Sequence, residues 1–322
     1  MRLSSFTVLS AVAALGYALP SAVQTRDVPS DELSQFKFWV QYAAASYCQT
    51  DYTAQVGTKV SCTTGNCPDV EAAGATIIYD FSKYANRTFT HSINAYTYTS
   101  STTATDTAGY IAVDDTNKAV VIAFRGSYSV RNWFADASFP YVDPGLCGGC
   151  FAELGFWSSW TNVRDDVTAQ LEDALSQNQD YDLVIVGHSL GAAVATLAAA
   201  DLRTKGHESA KLYAFASPRV ANPTLAKFIT AQNNNYRFTH QNDPVPKLPV
   251  IAMGYAHVSP EYWITSADNT TVTASDIDIV DGILSLDGNT GTGVPLISDF
   301  HAHHWYFGKT DDCLNDDLPF KR

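Results

Sequence analysis

Gly187-His188-Ser189-Leu190-Gly191 sets a serine at the centre of a G-x-S-x-G pentapeptide. The apolar run Leu183-Val184-Ile185-Val186 precedes it, and Ala192-Ala193-Val194-Ala195-Thr196-Leu197-Ala198 follows. A strand that turns sharply into a helix lifts a serine hydroxyl above a sheet edge, and the chemistry such a serine performs is acyl transfer. At that turn the residues two before and two after the serine lie so close that side chains would collide, and glycine at 187 and 191 removes the obstacle. The alanine-rich helix can pack tightly on the sheet and aim its amino-terminal dipole at the site, where negative charge develops. Ser189 is therefore the candidate nucleophile. The plainer reading is a buried strand-turn-helix connection, and the flanking residues weigh against it.

A serine hydroxyl needs a general base, and the base needs an orienting carboxylate; after this kind of elbow they follow in the order acid, then histidine. Asp243 stands in His240-Gln241-Asn242-Asp243-Pro244, just past an expected strand, on a loop stiffened by Pro244 and Pro246. It can reach the carboxyl end of the sheet, although an aspartate before proline also suits a simple turn. His257, His301, His303 and His304 all come late enough to serve as base. Residue types alone do not choose among the last three. Two oxyanion donors are needed: the Leu190 N–H, supplied by the elbow, and a group on the loop after an earlier strand. Ser127, in Phe124-Arg125-Gly126-Ser127, offers both an N–H and a hydroxyl, against the plainer reading of a tight turn at Gly126.

Next come Ser129, Val130, Arg131, Asn132, Trp133, Phe134, Ala135 and Asp136, with Val130, Trp133 and Phe134 at i, i+3 and i+4. That spacing predicts a short helix with a large apolar face. Beside a reactive serine it reads as a lid, closed in water and exposing Trp133 and Phe134 at an oil interface; the alternative is a short core helix.

These groups need a scaffold. Residues 31–47 carry Leu33, Phe36, Val40, Ala43 and Ala44 on one helical face, predicting an amino-terminal helix across a sheet. Extended runs at 75–79, 109–113 and 119–124 follow, and Asp114-Asp115-Thr116-Asn117 joins the last two into an antiparallel hairpin. Between 158 and 177, Trp160, Val163, Val167, Leu171 and Leu175 line one side of an amphipathic helix. After the elbow come a strand at 211–216, a helix at 222–231 and a strand at 236–240. Strands alternating with helices predict an α/β sandwich, and the early hairpin makes its sheet mixed.

The 322 residues, 46% hydrophobic and 16% charged, suffice for one large core in a single domain. Residues 1–20 read as a secretory signal, with basic Arg2, an apolar stretch too short to span a bilayer, and small Ala18 near its end. Residues 21–26 read as a short propeptide ending at Arg26. Losing Arg2 and Arg26 makes the net charge of −13 more negative still. Such a surface argues against nucleic acid and against electrostatic attachment to anionic membrane, and favours a neutral substrate. Six cysteines in a secreted chain predict three disulfides, with 15 pairings open. Cys62 with Cys67 and Cys147 with Cys150 are close in sequence, which leaves Cys48 for Cys313. The Cys147-Gly148-Gly149-Cys150 spacing also suits a redox or zinc pair, but no second metal-ligand pair accompanies it.

Taken together, Phe124-Arg125-Gly126-Ser127, the Gly187–Gly191 pentapeptide, Ser217-Pro218-Arg219-Val220, Thr239-His240-Gln241-Asn242-Asp243 and Ala302-His303-His304-Trp305-Tyr306-Phe307 resemble the secreted fungal class 3 lipases. That family includes triacylglycerol lipases and feruloyl esterases, and the resemblance spans nearly all of the mature chain. Residues 128–133 and 154–160 are more similar to its mono- and diacylglycerol lipases than to its esterases. The resemblance implies an α/β-hydrolase fold over residues 27–322: a predominantly parallel mixed central sheet flanked by helices, in one domain with a helical lid. It implies Ser189 as nucleophile, Asp243 as orienting acid and His303 as base, because the family's histidine stands two places before the tryptophan of Trp305-Tyr306-Phe307. It also implies Ser127 and Leu190 as oxyanion donors, the lid at 129–136 and the three disulfides.

No metal or organic cofactor is implied. The partner is an acylglycerol at a lipid–water interface, met by a secreted monomer without a transmembrane anchor. A feruloyl or general carboxylesterase would use the same three residues under a polar lid, and the bulk of Trp133 and Phe134 opposes it; a non-catalytic binding protein would lack the complete set. The chain departs from the family around residues 83–104, where a Ser-, Thr- and Tyr-rich segment replaces a short turn. This segment reads either as a surface loop glycosylated at Asn86 or as a translated intron, and Asn269-Thr270-Thr271 is a second glycosylation signal.

Overall fold

The computed structural model describes residues 28–83, 107–127, 138–294 and 300–315. The expected signal and propeptide, Asn86 and the lid segment 129–136 lie outside the described residues. The described residues form strands β1 (Thr76–Lys83), β2 (Thr107–Asp114), β3 (Ala119–Phe124), β4 (Tyr141–Val142), β5 (Ala152–Glu153), β6 (Asp182–His188), β7 (Lys211–Phe215), β8 (Asn235–His240), β9 (Glu261–Ile264) and β10 (Ile277–Val280). Eight form the main sheet in the order β1-β2-β3-β6-β7-β8-β9-β10, while β4 and β5 pair separately. The pairs from β3 through β9 are parallel, and the antiparallel pairs β1·β2, β2·β3 and β9·β10 flank them.

β3 (Ala119–Phe124) is apolar at every position, and β6 is so from Leu183 to Val186, because both of their faces are covered. In β3, Val120, Ile122 and Phe124 point into one core, and Ala119, Val121 and Ala123 into the other. Helices α4 (Leu154–Gln177) and α5 (Leu190–Arg203) cover the first face. Helix α1 (Ser30–Ala45) covers the second, its Phe36 ring meeting Phe238 at 4.7 Å and Tyr262 at 5.1 Å. The short helices α2 (Gln49–Tyr52) and α3 (Pro68–Ala73) follow α1, and α6 (Pro223–Ala231) links β7 to β8.

Helix α4 begins a turn earlier than its apolar periodicity suggests. The Glu153 carboxylate accepts the Phe156 N–H at 2.8 Å, an amino-terminal cap that brings Phe156 and Trp157 onto the buried face. The α6 start matches expectation, with Asn222 accepting from Leu225 N–H and Pro223 in the first turn. The alanines of α5 let it lie directly on β6 and β7, with all but its first residue buried. Strands β9 and β10 were not anticipated. Each has only four residues, too few for alternation to stand out.

The structure contains the disulfides Cys48–Cys313, Cys62–Cys67 and Cys147–Cys150. The first closes a loop of 265 residues and ties the segment 300–315 beside the end of α1. Chain entropy assigns such a closure about 5 kcal/mol. Replacing Cys48 and Cys313 by serine should therefore lower the unfolding free energy in urea by several kcal/mol. A loss below about 1 kcal/mol would mean that the cross-link adds little beyond the core.

Candidate active site

β6 delivers its last residue, His188, to the carboxyl edge of the sheet, and Ser189 follows with φ 57° and ψ −127°. A non-glycine residue in this region costs on the order of 1–3 kcal/mol and persists only where its surroundings enforce it. The main chain is held on both sides: Ser189 N–H donates to Phe215 O at 2.9 Å, and Ser189 O accepts from the N–H groups of Ala192 and Ala193. A Cβ on Gly187 would overlap the Gly191 carbonyl and come within 2.6 Å of Ala192 N. A Cβ on Gly191 would run into the carbonyl of Phe124 at the end of β3. Both glycines are thus sterically required, and the second requirement ties the elbow to β3 as well as to β6.

The same register sets the oxyanion candidates. Phe124 pairs with Gly187 in parallel alignment, and past that pair the two segments stay close: a Cβ on Gly126 would come within 2.8 Å of His188 O. Arg125 N–H donates to Ala108 O at 2.9 Å, which fixes the end of the strand. Leu190 is the first residue of α5, and the first N–H groups of a helix have no intrahelical acceptor.

Asp243 lies beyond β8, fully buried, with its N–H bonded to His240 O. His303 sits in the 3-10 turn His301–His304 and is 1% exposed. The structure brings these two together: His303 Nδ1 lies 2.9 Å from one Asp243 oxygen and 3.1 Å from the other. The other late histidines go elsewhere. His301 is exposed, His304 pairs with Asp311, and His257 donates through Nε2 to Pro246 O. His303 Nε2 is buried without a hydrogen-bond partner among the described residues. The His303 ring lies 4.7 Å from that of His188, the neighbour of Ser189. An imidazole oriented through one nitrogen by a carboxylate, with the other nitrogen open, is equipped to take a hydroxyl proton.

Tyr306 and His188 support this pair, roles that their residue types alone do not announce. The Tyr306 hydroxyl donates to Asp243 Oδ2 at 2.6 Å, and Val245 N–H donates to Oδ1 at 2.9 Å. Burial alone would raise the Asp243 acid, but His303, the Tyr306 hydroxyl and the Val245 N–H outweigh it and hold the carboxyl below its ordinary range. His188 Nε2 donates to His303 O at 2.8 Å, which leaves Nδ1 to accept from the Tyr47 hydroxyl at 2.7 Å. Burial first, then the proximity of His303, pushes the His188 imidazole down to about 3, so it is a fixed neutral spacer. The signal for Tyr306 was its place three residues after His303. For His188 it was the variable position of the pentapeptide.

Comparisons with known proteins decide the family. The model of the class 3 lipases matches residues 121–253, and that of the lipase 3 N-terminal region matches residues 5–79. A secreted mono- and diacylglycerol lipase A from Penicillium cyclopium is 66% identical over 322 residues, covering all of both chains.

The chain belongs to the class 3 lipase family.

It is accordingly a secreted carboxylic ester hydrolase with the α/β-hydrolase fold. The crystal structure of a mono- and diacylglycerol lipase from Aspergillus oryzae shares 56% identity at a TM-score of 0.80, covering 88% of this chain and all of that one. The triacylglyceride lipase of Rhizomucor miehei is 27% identical at a TM-score of 0.70, covering 89% of this chain and 99% of its own. Among the described residues of this lipase, no helix is long and apolar enough to cross a membrane.

The two shifted groups make stability depend on acid in the same direction. An unfolded chain binds the His188 proton below about 6.5 and the native chain only near 3, so native stability falls as pH drops through that window. Asp243 contributes stability above the ordinary carboxylate range and loses it as pH falls through its depressed native value. Urea unfolding between pH 7 and 3 should show this decline. Tyr306→Phe removes a hydrogen bond to a charged group, on the order of 1.5–3 kcal/mol. It should move the Asp243 part of the decline to higher pH and lower kcat at least several-fold; unchanged kcat and an unchanged pH profile would contradict the role assigned to the hydroxyl.

Proposed function

We propose that this lipase hydrolyses the ester bonds of mono- and diacylglycerols at a lipid–water interface through an acyl-enzyme on Ser189. The supporting observation is the buried Asp243–His303 pair: its imidazole lies 4.7 Å from the ring of His188, the residue before strained Ser189, and its Nε2 has no hydrogen-bond partner among the described residues. His303 takes the Ser189 proton as the oxygen attacks the ester carbonyl, and the Leu190 N–H with the Ser127 N–H or hydroxyl holds the oxyanion. Asp243 fixes the imidazole tautomer and stabilises the imidazolium. Collapse of the tetrahedral species passes the proton from His303 Nε2 to the leaving glyceride oxygen. Water then repeats the sequence and releases the fatty acid.

The partial-glyceride preference is supported by the names and full-length similarity of the Penicillium and Aspergillus relatives. A lid at residues 129–136 is supported by burial of the site. Ser189 and His303 are each 1% exposed, so a glyceride reaches them only when a covering element moves away. The mature enzyme on this reading is a monomeric domain of residues 27–322, freed of the signal at 1–20 and the propeptide at 21–26. Asn269 is exposed, in the positive-φ region at a loop tip, and suits glycan attachment; Asn86 is the second proposed acceptor.

Matched emulsions of mono-, di- and trioleoylglycerol, assayed beside methyl ferulate, test the proposal. The first two should be hydrolysed well, triolein poorly and methyl ferulate negligibly; strong triolein or ferulate hydrolysis would overturn the preference. Ser189→Ala should lower kcat by at least about 10³-fold while leaving the fold intact by circular dichroism. Retention of substantial activity would remove Ser189 from the mechanism.

A further inference from the structure

The loop carrying Asp243 leaves β8 after His240, and between residues 241 and 249 its regular structure is the single 3-10 turn Val245–Lys247. Buried side chains from elsewhere supply donors to its carbonyls. His257 Nε2 donates to Pro246 O at 2.6 Å, and Arg219 Nη1 donates to Lys247 O at 2.6 Å and Pro249 O at 3.0 Å. Asn289 reaches the acid's own peptide: its Nδ2 donates to Gln241 O and to Asp243 O, each at 3.0 Å.

The arrangement has a cost that its placement explains. Asn289 is 1% exposed, and its Oδ1 has no hydrogen-bond partner among the described residues. An unsatisfied buried amide oxygen is unfavourable, and polar atoms of that kind are rarely tolerated without a compensating role. Turning the amide over would aim Oδ1 at two carbonyl oxygens and leave both without their donor. The acid loop therefore dictates the orientation of the side chain.

Asn289 is itself anchored to the sheet. Its N–H donates to Glu261 Oε1 at 3.0 Å. Glu261, buried on β9, pairs with Arg237 of β8 at 3.1 Å and accepts the Thr239 hydroxyl. Gly288 lets the chain approach this carboxylate, because a Cβ there would come within 2.7 Å of it. A buried ion pair joining two adjacent strands thus holds Asn289, and Asn289 holds the peptide of the acid.

We propose that Asn289 is a positioning residue for catalysis, setting the Asp243 carboxylate against His303 by gripping the main chain on both sides of Asn242. The proposal rests on the reading of Asp243 as the orienting acid.

Asn289→Ala and Asn289→Asp remove the two donors, and both are to be compared with Ile279→Val on β10, which trims the core without touching the acid loop. The readouts are kcat and KM on a soluble short-chain ester, the melting temperature, and the low-field proton resonance of the His303 Nδ1–H. Both Asn289 variants should lose at least tenfold in kcat with KM within twofold, and the low-field resonance should shift or vanish. Ile279→Val should lower the melting temperature and leave kcat and the resonance unchanged. Folded Asn289 variants with kcat within twofold of the parent and an unchanged resonance would overturn the proposal. If neither variant folds, Asn289→Ser is read in the same way, and its failure to fold would make the role purely structural and likewise overturn it. Asp243→Asn separates the two readings: full activity there removes Asp243 as the acid, whereas an inactive Asp243→Asn beside active Asn289 variants removes only the role of Asn289.

Discussion

The close approach of two backbones at the elbow is the constraint from which the rest follows. Gly187 lies against the Gly191 carbonyl, and Gly191 lies against the carbonyl of Phe124. No side chain fits at either contact, so β6, α5 and the end of β3 can meet only there and only in this register. Their meeting forces Ser189 to positive φ, presents the Leu190 N–H at the start of a helix and brings Gly126 against His188. The strain is small beside the stabilisation available from a core in which β3, β6 and α5 are almost wholly buried.

A second constraint is the burial of polar groups. Asp243 and His303 sit in the interior with their neighbours already hydrogen-bonded, so little reorganisation is needed as charge moves during acyl transfer. His188 and Asp243 both shift downward, for opposite reasons. The histidine loses its proton because burial disfavours its cation, and the aspartate keeps its charge because donors converge on it despite burial. The result near neutral pH is an anion and a neutral ring, both in contact with His303.

Much of this could be read from residue types. The elbow was legible because glycine is the residue that tolerates contact with another backbone, and β3 and the middle of β6 because burial on both faces makes them uniformly apolar. Helix α4 was visible in its apolar stripe, although its true start depends on the Glu153 cap, which periodicity does not report. β9 and β10 escaped because four residues bounded by long loops carry no usable period. The choice among His301, His303 and His304 needed either family resemblance or coordinates, since the three differ only in which way a short 3-10 turn points them. Asn289, Glu261 and Arg237 were illegible for another reason. Their contacts join residues up to 48 positions apart, and an isolated asparagine in a glycine-rich loop resembles any turn.

A strained serine and a buried acid–imidazole pair stand in a chain of the class 3 lipase family. The central claim is that Ser189 is made nucleophilic by His303. The most direct measurement is covalent labelling by an alkyl fluorophosphonate in the presence of lipid emulsion, with the adduct located by peptide mass spectrometry. The account predicts one adduct per chain, on Ser189, forming at a rate that collapses in His303→Ala. An adduct on another residue, or undiminished labelling of Ser189 without His303, would contradict it.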